Sequence, residues 1–332
     1  MKDYKVEKFL SQGLMGKVYL VSKNNKKYAM KIEYIASKKD SILLNELKLI
    51  KDVASKNPDQ FMQLVDWEFI EDCKKPAPEI PDWVDDKERK YFVKLRKSGL
   101  CVRKFYTLID DTLSNFPIGK MTMKERYSMM IQLLYINYLI QSNGFVHGDF
   151  HHGNIGVINV DKNKNVIIFG KKIPTFGNQF VAIDYGGVLH KDTLSSKRKY
   201  QQRDITELQH YNEMKVVDKS GIIKSMVSDR DFWEYMRKNK ITTNDFEKDL
   251  KLVLSQPEIK LLTGITKEKF ILWDLYRILF TKKFQQLVLG KKFKKYIPNV
   301  YLLPLEDILF SFMNLDNDKK LIEYFIARLE NL

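Results

Sequence analysis

The sequence predicts an α+β chain, with strands gathered in its first third and helices filling most of its last third. Three observations carry this. Residues 4 to 35 alternate apolar and polar side chains with many β-branched and aromatic residues, and strand character returns at 61–70 and 100–109. From Thr122 the pattern changes to a helical period, and from about residue 215 to Leu332 it stays mostly helical. The length of 332 residues suits one large or two medium domains with a proper core. No internal repeat is visible.

Bulk composition narrows the class. Hydrophobic residues make up 44% and charged residues 30%, which are globular values. The net charge of +15 favours acidic partners such as nucleic acid, anionic lipid or acidic proteins. The lysines are spread along the chain, however, and the densest run, Lys291-Lys292-Phe293-Lys294-Lys295, is short. A solvated Lys-rich surface is the simpler reading, and direct nucleic-acid binding has no motif behind it. The two cysteines, Cys73 and Cys101, are expected to form neither a disulfide framework nor a zinc pattern, so a reducing compartment is the default. Residues 1–5 hold no apolar run of the signal-peptide kind, and no stretch is apolar enough to span a bilayer. The expected location is cytoplasmic or nuclear rather than secreted. The oligomeric state is not legible.

The elements follow in order. Gly13 and Gly16 lie in Leu10-Ser11-Gln12-Gly13-Leu14-Met15-Gly16-Lys17-Val18, between two strands. Glycines there let the backbone approach a phosphate closely, and Val18 follows where an apolar residue can cover a base. A plain hairpin is the alternative. In Tyr28-Ala29-Met30-Lys31-Ile32-Glu33 a lysine stands among apolar strand residues, where burial is costly without an anion. A break at Ser37-Lys38-Lys39-Asp40 precedes a helical pattern with Leu43, Leu44, Leu47 and Ile50 as its apolar positions. Glu46 lies within it and is the natural partner for Lys31. Residues 74–89, with Pro76, Pro78 and Pro81, read as an inserted surface loop, and the whole insertion covers about 71–97. Strand character runs to 109.

Thr122-Met123-Lys124-Glu125 has capping-box form. It opens a helix whose expected apolar face is Tyr127, Met130, Ile131, Leu134, Tyr138 and Leu139. The helix runs into Phe145-Val146-His147-Gly148-Asp149-Phe150-His151-His152-Gly153-Asn154-Ile155. Asp149 and Asn154 stand five positions apart, the H-x-D-x-x-x-x-N spacing of a phosphoryl-transfer loop. A polar turn holding a chance Asp and Asn is the bland alternative. Strand-like stretches at 155–158 and 165–169 follow, with an extra hairpin expected around 166–180. An apolar strand then ends in Ile183-Asp184-Tyr185-Gly186, an Asp-aromatic-Gly sequence that resembles the D-F-G site of phosphoryl-transfer enzymes, with an ordinary turn as the alternative. His147 is expected to pack beneath this segment. A metal site from His147, His151 and His152 is the alternative, without a fourth ligand.

Taken in this order, the pieces resemble the eukaryotic-type protein-kinase superfamily over about residues 4–215. The loop reads His-Gly-Asp rather than His-Arg-Asp. In this it is similar to vaccinia-related and casein-kinase-like kinases, to RIO-type kinases, and to aminoglycoside and choline phosphotransferases. Further departures are Ser11 at the first glycine, Met15 at the loop tip, and the lack of an Ala-Pro-Glu. The composition and divergent motifs suggest a large DNA virus or a protist as source, with virion association in the former case.

The resemblance implies a bilobal kinase-like fold, with an N-lobe at 1–109 and a C-lobe at 110–332. The kinase-like order of the pieces would put a hinge near Tyr106 to Ile109. It implies ATP and Mg²⁺ as cofactors. The nucleotide would be bound by Gly13, Gly16, Val18, Lys31, Tyr106 and Leu108. The metal would be held by Asn154 and Asp184, and the catalytic residues would be Asp149, Lys31, Glu46 and Asn154. Asp204 is implied as the helix aspartate bracing the catalytic loop. The expected activity is serine/threonine protein kinase acting on a protein substrate, an acidic one being suited to the charge. A small-molecule kinase, favoured by the missing Ala-Pro-Glu and the inserted hairpin, and a pseudokinase scaffold stand as alternatives. Because Gly148 offers no charge to a phosphorylated activation loop, activity is expected to be independent of phosphorylation there.

Overall fold

The computed structural model describes residues 4–13, 16–73, 80, 86–190, 307 and 318–332. Five antiparallel strands open the chain: β1 (Lys5–Gln12), β2 (Gly16–Lys23), β3 (Lys26–Tyr34), β4 (Leu64–Ile70) and β5 (Cys101–Tyr106). They form one sheet in the order β1-β2-β3-β5-β4. Helix α1 (Ser41–Asp52) joins β3 to β4, and α2 (Asp86–Lys97) lies between β4 and β5. The second part is built on α3 (Met123–Ser142), with α4 (Asp318–Glu330) packed against it. Around them run the short strands β6 (Asp111–Thr112), β7 (Phe145–Val146), β8 (Ile155–Asn159), β9 (Asn165–Ile168), β10 (Lys171–Pro174), β11 (Asn178–Ala182) and β12 (Leu189–His190). This is the bilobal α+β arrangement expected, with a β-rich N-terminal lobe and a C-terminal part centred on helices.

Helix α1 starts because Asp40 accepts hydrogen bonds from the backbone N–H groups of Ile42 and Leu43. Its inward residues are Ile42, Leu43, Glu46, Leu49 and Ile50. The expected face was turned by one position, since Leu44 is exposed and Leu47 only partly buried. The turn matters because it centres Glu46 on the buried stripe.

Helix α3 begins at the Thr122–Glu125 capping box. It is buried almost all round rather than on one face, with Met129, Leu133, Ile136 and Asn137 as covered as Ile131 and Leu134. Tyr138 and Leu139 are only partly buried. A one-sided pattern is lost here because strands cover one flank and α4 the other.

Two expectations for the insertion change. Residues 86–97 form a helix rather than a loop, anchored by buried Phe92 and Leu95. Cys73 and Cys101 form a disulfide. The pairing of β4 with β5 sets Ile70 opposite Cys101, which brings Cys73 within reach. A count of two cysteines carries no such information, and the reducing-compartment expectation loses the support it drew from unpaired thiols. No helix among the described residues is long and apolar enough to cross a membrane.

The extra hairpin is β9–β10, inserted between β8 and β11, which pair with each other. It lies against the long helices. The Ser128 hydroxyl donates to the Pro174 carbonyl at 2.5 Å, Phe169 packs edge-on to Tyr135 and Tyr138, and Lys171 pairs with Glu330. Helix α4 is fastened by two further polar clamps. Asp307 accepts from the hydroxyls of Tyr127 and Tyr324 and pairs with Arg328. Asn137 donates its amide N–H to the buried Asp318 at 3.0 Å. Burial pushes the Asp318 carboxyl up to about 7, against the pull of the Asn137 bond. The helices implied between 204 and 306, and Asp204 itself, lie outside the described residues.

Two outcomes follow for stability. The folded state holds the Asp318 proton more tightly than the unfolded chain does, so its contribution is complete below about pH 4 and lost as pH rises to about 7. In thermal unfolding, Asp318→Asn should therefore match the parent at pH 4 and exceed it at pH 8. The disulfide closes a 28-residue separation, for which loop entropy gives roughly 3–4 kcal/mol. Reductant should lower the Tm of the parent protein and leave that of a Cys73→Ala/Cys101→Ala variant unchanged.

Candidate active site

The cleft lies between the five-stranded sheet and the loop that follows α3. Its roof is the β1–β2 hairpin, where the Gly13 N–H donates to the Gly16 carbonyl at 2.9 Å. A side chain at Gly13 would meet nothing. At Gly16 a Cβ would run into the Ile32 carbonyl and come within 2.7 Å of Glu33 Cγ. Gly16 is thus required by the close approach of β3 as well as being a cleft residue.

Below the roof, β3 carries Lys31 and Glu33 on one face, because alternate residues of a strand point the same way. Lys31 is held by Glu33 at 2.6 Å and by Asp184 at 2.6 Å. Glu46, expected to pair directly with Lys31, instead holds Lys104 through both oxygens at 2.7 Å and accepts from the Tyr106 hydroxyl at 2.8 Å. The expectation missed because Lys104, opposite Lys31 on the neighbouring strand, takes both Glu46 oxygens. Burial alone would push the Lys31 ammonium down. Asp184, Glu33 and Glu46 outweigh it and hold the pKa above its ordinary value, so Lys31 stays charged.

The floor is the segment 145–155. Val146 and Phe145 form β7, paired with β12, and Phe150 is fully buried. Gly148 has a φ of +77°, and a Cβ there would collide with the Gly187 carbonyl. The glycine of His-Gly-Asp is therefore fixed by packing, and neither arginine nor any other side chain fits that backbone. Asp149 is set by Asn154, whose amide N–H groups donate to the Asp149 carbonyl at 2.8 Å and to Oδ2 at 3.0 Å. His151 Nδ1 accepts from the Gly153 N–H, and its Nε2 lies 3.6 Å from Asp149 Oδ2.

The third wall is the strand end at Ile183–Gly186. The Ile183 N–H donates to the Asn154 carbonyl at 3.0 Å, stitching this wall to the floor. Asp184 adopts a left-handed backbone, φ 55°, and accepts from the Gly186 N–H. That conformation is uncommon for a side-chain-bearing residue and is tolerated best by Asp and Asn. Tyr185 turns inward, fully buried, with its hydroxyl 2.8 Å from the Met62 carbonyl and 2.9 Å from that of Ala182. His147 is buried beneath this segment and donates from Nε2 to the Ile183 carbonyl at 3.1 Å. Burial pushes its pKa down to about 4 although Asp149 and Asp184 pull it upward, so the ring is neutral.

The resulting cleft has a volume of about 450 Å³. Gly13, Gly16, Val18, Lys31, Tyr106, Asp149, Asn154 and Asp184 all line it. Leu108 and Glu46 do not, and Tyr106 turns its hydroxyl to Glu46, so it forms the back wall. Ala29, Met62 and Ile183 add apolar surface beside Val18, and Thr112, His151 and Gly153 add polar groups. None of these was singled out as a cleft residue from sequence. Ala29 had a signal, two positions before Lys31 on the same strand face. Met62 had none, since it arrives through the pairing of its N–H with the Ala182 carbonyl.

Comparison with known proteins adds two solved structures. The crystal structure of the PF14_0431 kinase domain is similar at 15% identity with a TM-score of 0.37, covering 59% of this chain and 53% of that one. A chain of the yeast RNA Pol II CTD kinase CTDK-1 complex is similar at 14% identity with a TM-score of 0.36, covering 57% and 47%. Both carry the name of a kinase. The chain thus spans about half the length of the solved chains it matches. No family model and no curated protein sequence matches it.

The glycine at 148 is open to direct test. Gly148→Ala places an L-residue in the left-handed region at about 1–2 kcal/mol, before the collision with Gly187 is added. A lowered Tm is expected, together with loss of whatever activity Asp149 supports.

Proposed function

We propose that the protein is an ATP-dependent phosphotransferase, and that its acceptor is a serine or threonine hydroxyl of a protein. The observation that carries this reading is that Lys31, Asp149, Asn154 and Asp184, distant in sequence, all line one cleft. That set supplies a cation for phosphates, a base, and two oxygen donors for a hard metal ion. Its retention argues against a pseudokinase scaffold.

The roles follow from the contacts. Val18, Ala29 and Met62 offer apolar surface for the base of the nucleotide. Gly13 and Gly16 leave backbone near the phosphates. Lys31, kept charged by its carboxylate neighbours, neutralises phosphate charge. Asp149 orients the acceptor hydroxyl and takes its proton, and the Asn154 amide fixes the carboxylate for that task. Because Asn154 turns its nitrogen to Asp149, its Oδ1 would be a donor of the kind Mg²⁺ takes, and the Asp184 carboxylate lines the same cleft. Among the described residues no three His, Cys, Asp or Glu side chains cluster to cage a metal. When bound, Mg²⁺ would offset charge on the transferred phosphoryl group. A cleft between the sheet and the segment from Asp111 onward supports an N-lobe at 1–109 and a C-lobe beginning at 110.

A small-molecule acceptor is the second reading. The β9–β10 hairpin, inserted between the catalytic-loop strand β8 and the strand leading to Asp184, favours it.

Labelled ATP and Mg²⁺ separate these outcomes. Label on casein or a basic protein supports the first reading, and label only on an amino sugar or choline supports the second. Nucleotide binding without turnover would overturn both. Asp149→Asn should nearly abolish turnover while ATP binding persists, and Lys31→Met should weaken both. Phosphatase pretreatment should leave the rate unchanged, since Gly148 provides no phosphate-pairing charge.

A further inference from the structure

Behind the cleft, and resting on the phosphotransfer reading, the buried charges give a role to a residue outside every motif. Lys104 on β5 stands directly opposite Lys31 on β3. Directly paired residues share a sheet face, with Cβ atoms about 4.5–5.5 Å apart. Two like charges so placed repel, and Lys104 is fully buried. Two carboxylates resolve the conflict. Glu33 touches both ammonium groups, Lys31 through Oε1 and Lys104 through Oε2. Glu46 arrives from α1 and holds Lys104 through both oxygens. The contacts Asp184–Lys31–Glu33–Lys104–Glu46 thus alternate in sign along their whole length.

The surroundings are shaped for this chain of charges. Gly16 is paired opposite Glu33 on β2, and any Cβ there would crowd Glu33 Cγ. Tyr106 donates its hydroxyl to Glu46 and completes that end. Burial would push the Lys104 ammonium toward neutrality, but Glu33 and Glu46 outweigh it and raise its pKa.

We propose that Lys104 is a positioning residue for nucleotide phosphate binding, acting on Lys31 through Glu33. Helix α1 reaches Lys31 in two steps, by way of Lys104 and Glu33, and not by a direct Glu46–Lys31 pair. With Lys104 removed, Lys31 is the cation left to Glu33 among the described residues, and Glu33 holds it back from incoming phosphates. The back of the cleft also becomes more negative, which disfavours a polyanionic ligand.

The test is steady-state ATP kinetics of the full chain for Lys104→Met, Glu33→Gln and the double variant. Lys104→Met is expected to raise KM for ATP roughly tenfold or more, with a smaller fall in kcat. The double variant should recover most of that loss in KM, because the carboxylate leaves with its cation, whereas a merely structural role couples the two changes in Tm and leaves KM for ATP unmoved. An unchanged KM in Lys104→Met, or additivity, overturns the relay. If Lys104→Met fails to fold, Lys104→Arg decides. It keeps the charge but not the compact ammonium geometry. It should raise KM by a smaller factor that Glu33→Gln relieves, and no rise or no relief overturns the relay. Wild-type protein without ATP binding or turnover would instead overturn the phosphotransfer reading beneath it.

Discussion

The N-terminal half is organised around two lysines that face each other across adjacent strands, Lys104 fully buried and Lys31 at the edge of the cleft. Such a pair cannot be buried without anions between and beside them, and isolated buried charges cost several kcal/mol each. The fold supplies Glu33 from the same strand, Glu46 from α1, and Asp184 from the far wall of the cleft. Each anion comes from a different element, so satisfying the lysines fixes the sheet, the helix and the Asp184 segment relative to one another. Removing one partner from such a set typically costs about 3–5 kcal/mol, because a buried charge is left behind. The network therefore shapes the cleft and locks its walls at the same time.

The floor of the cleft is set by packing of another kind. His147 and Tyr185 are both fully buried; His147 Nε2 bonds the Ile183 carbonyl, and the Tyr185 hydroxyl lies against the Met62 and Ala182 carbonyls. Phe61 and Tyr106 pack around Tyr185, so an aromatic core lies directly beneath Asp184. The backbone bond from Ile183 to Asn154 ties this core to the loop that carries Asp149. Gly148 completes the arrangement by letting Gly187 approach where no side chain can stand. Hydrogen bonds and close contacts thus fix where the loop places Asp149 and Asn154. Helix α3 supports it from below, and its burial on all sides explains why a simple amphipathic pattern fails to describe it.

What the sequence by itself determined is whatever short-range pattern encodes. Strand periodicity, the Thr122–Glu125 capping box, the inserted hairpin, and the five-residue spacing of Asp149 and Asn154 are all local, and each survives in the structure. Lys31, a charge within an apolar strand, and Asp184, just past the end of one, line the same cleft. Tertiary structure alone decided which charges meet. Glu46 and Lys31 are both correctly placed on their elements, yet strand pairing inserts Lys104 nearer the helix and Glu33 beside both lysines. The Cys73–Cys101 bond, the arrival of Met62 in the cleft and the turned face of α1 share that origin. They depend on register and on the distance between strands remote in sequence, and one-dimensional spacing holds neither quantity.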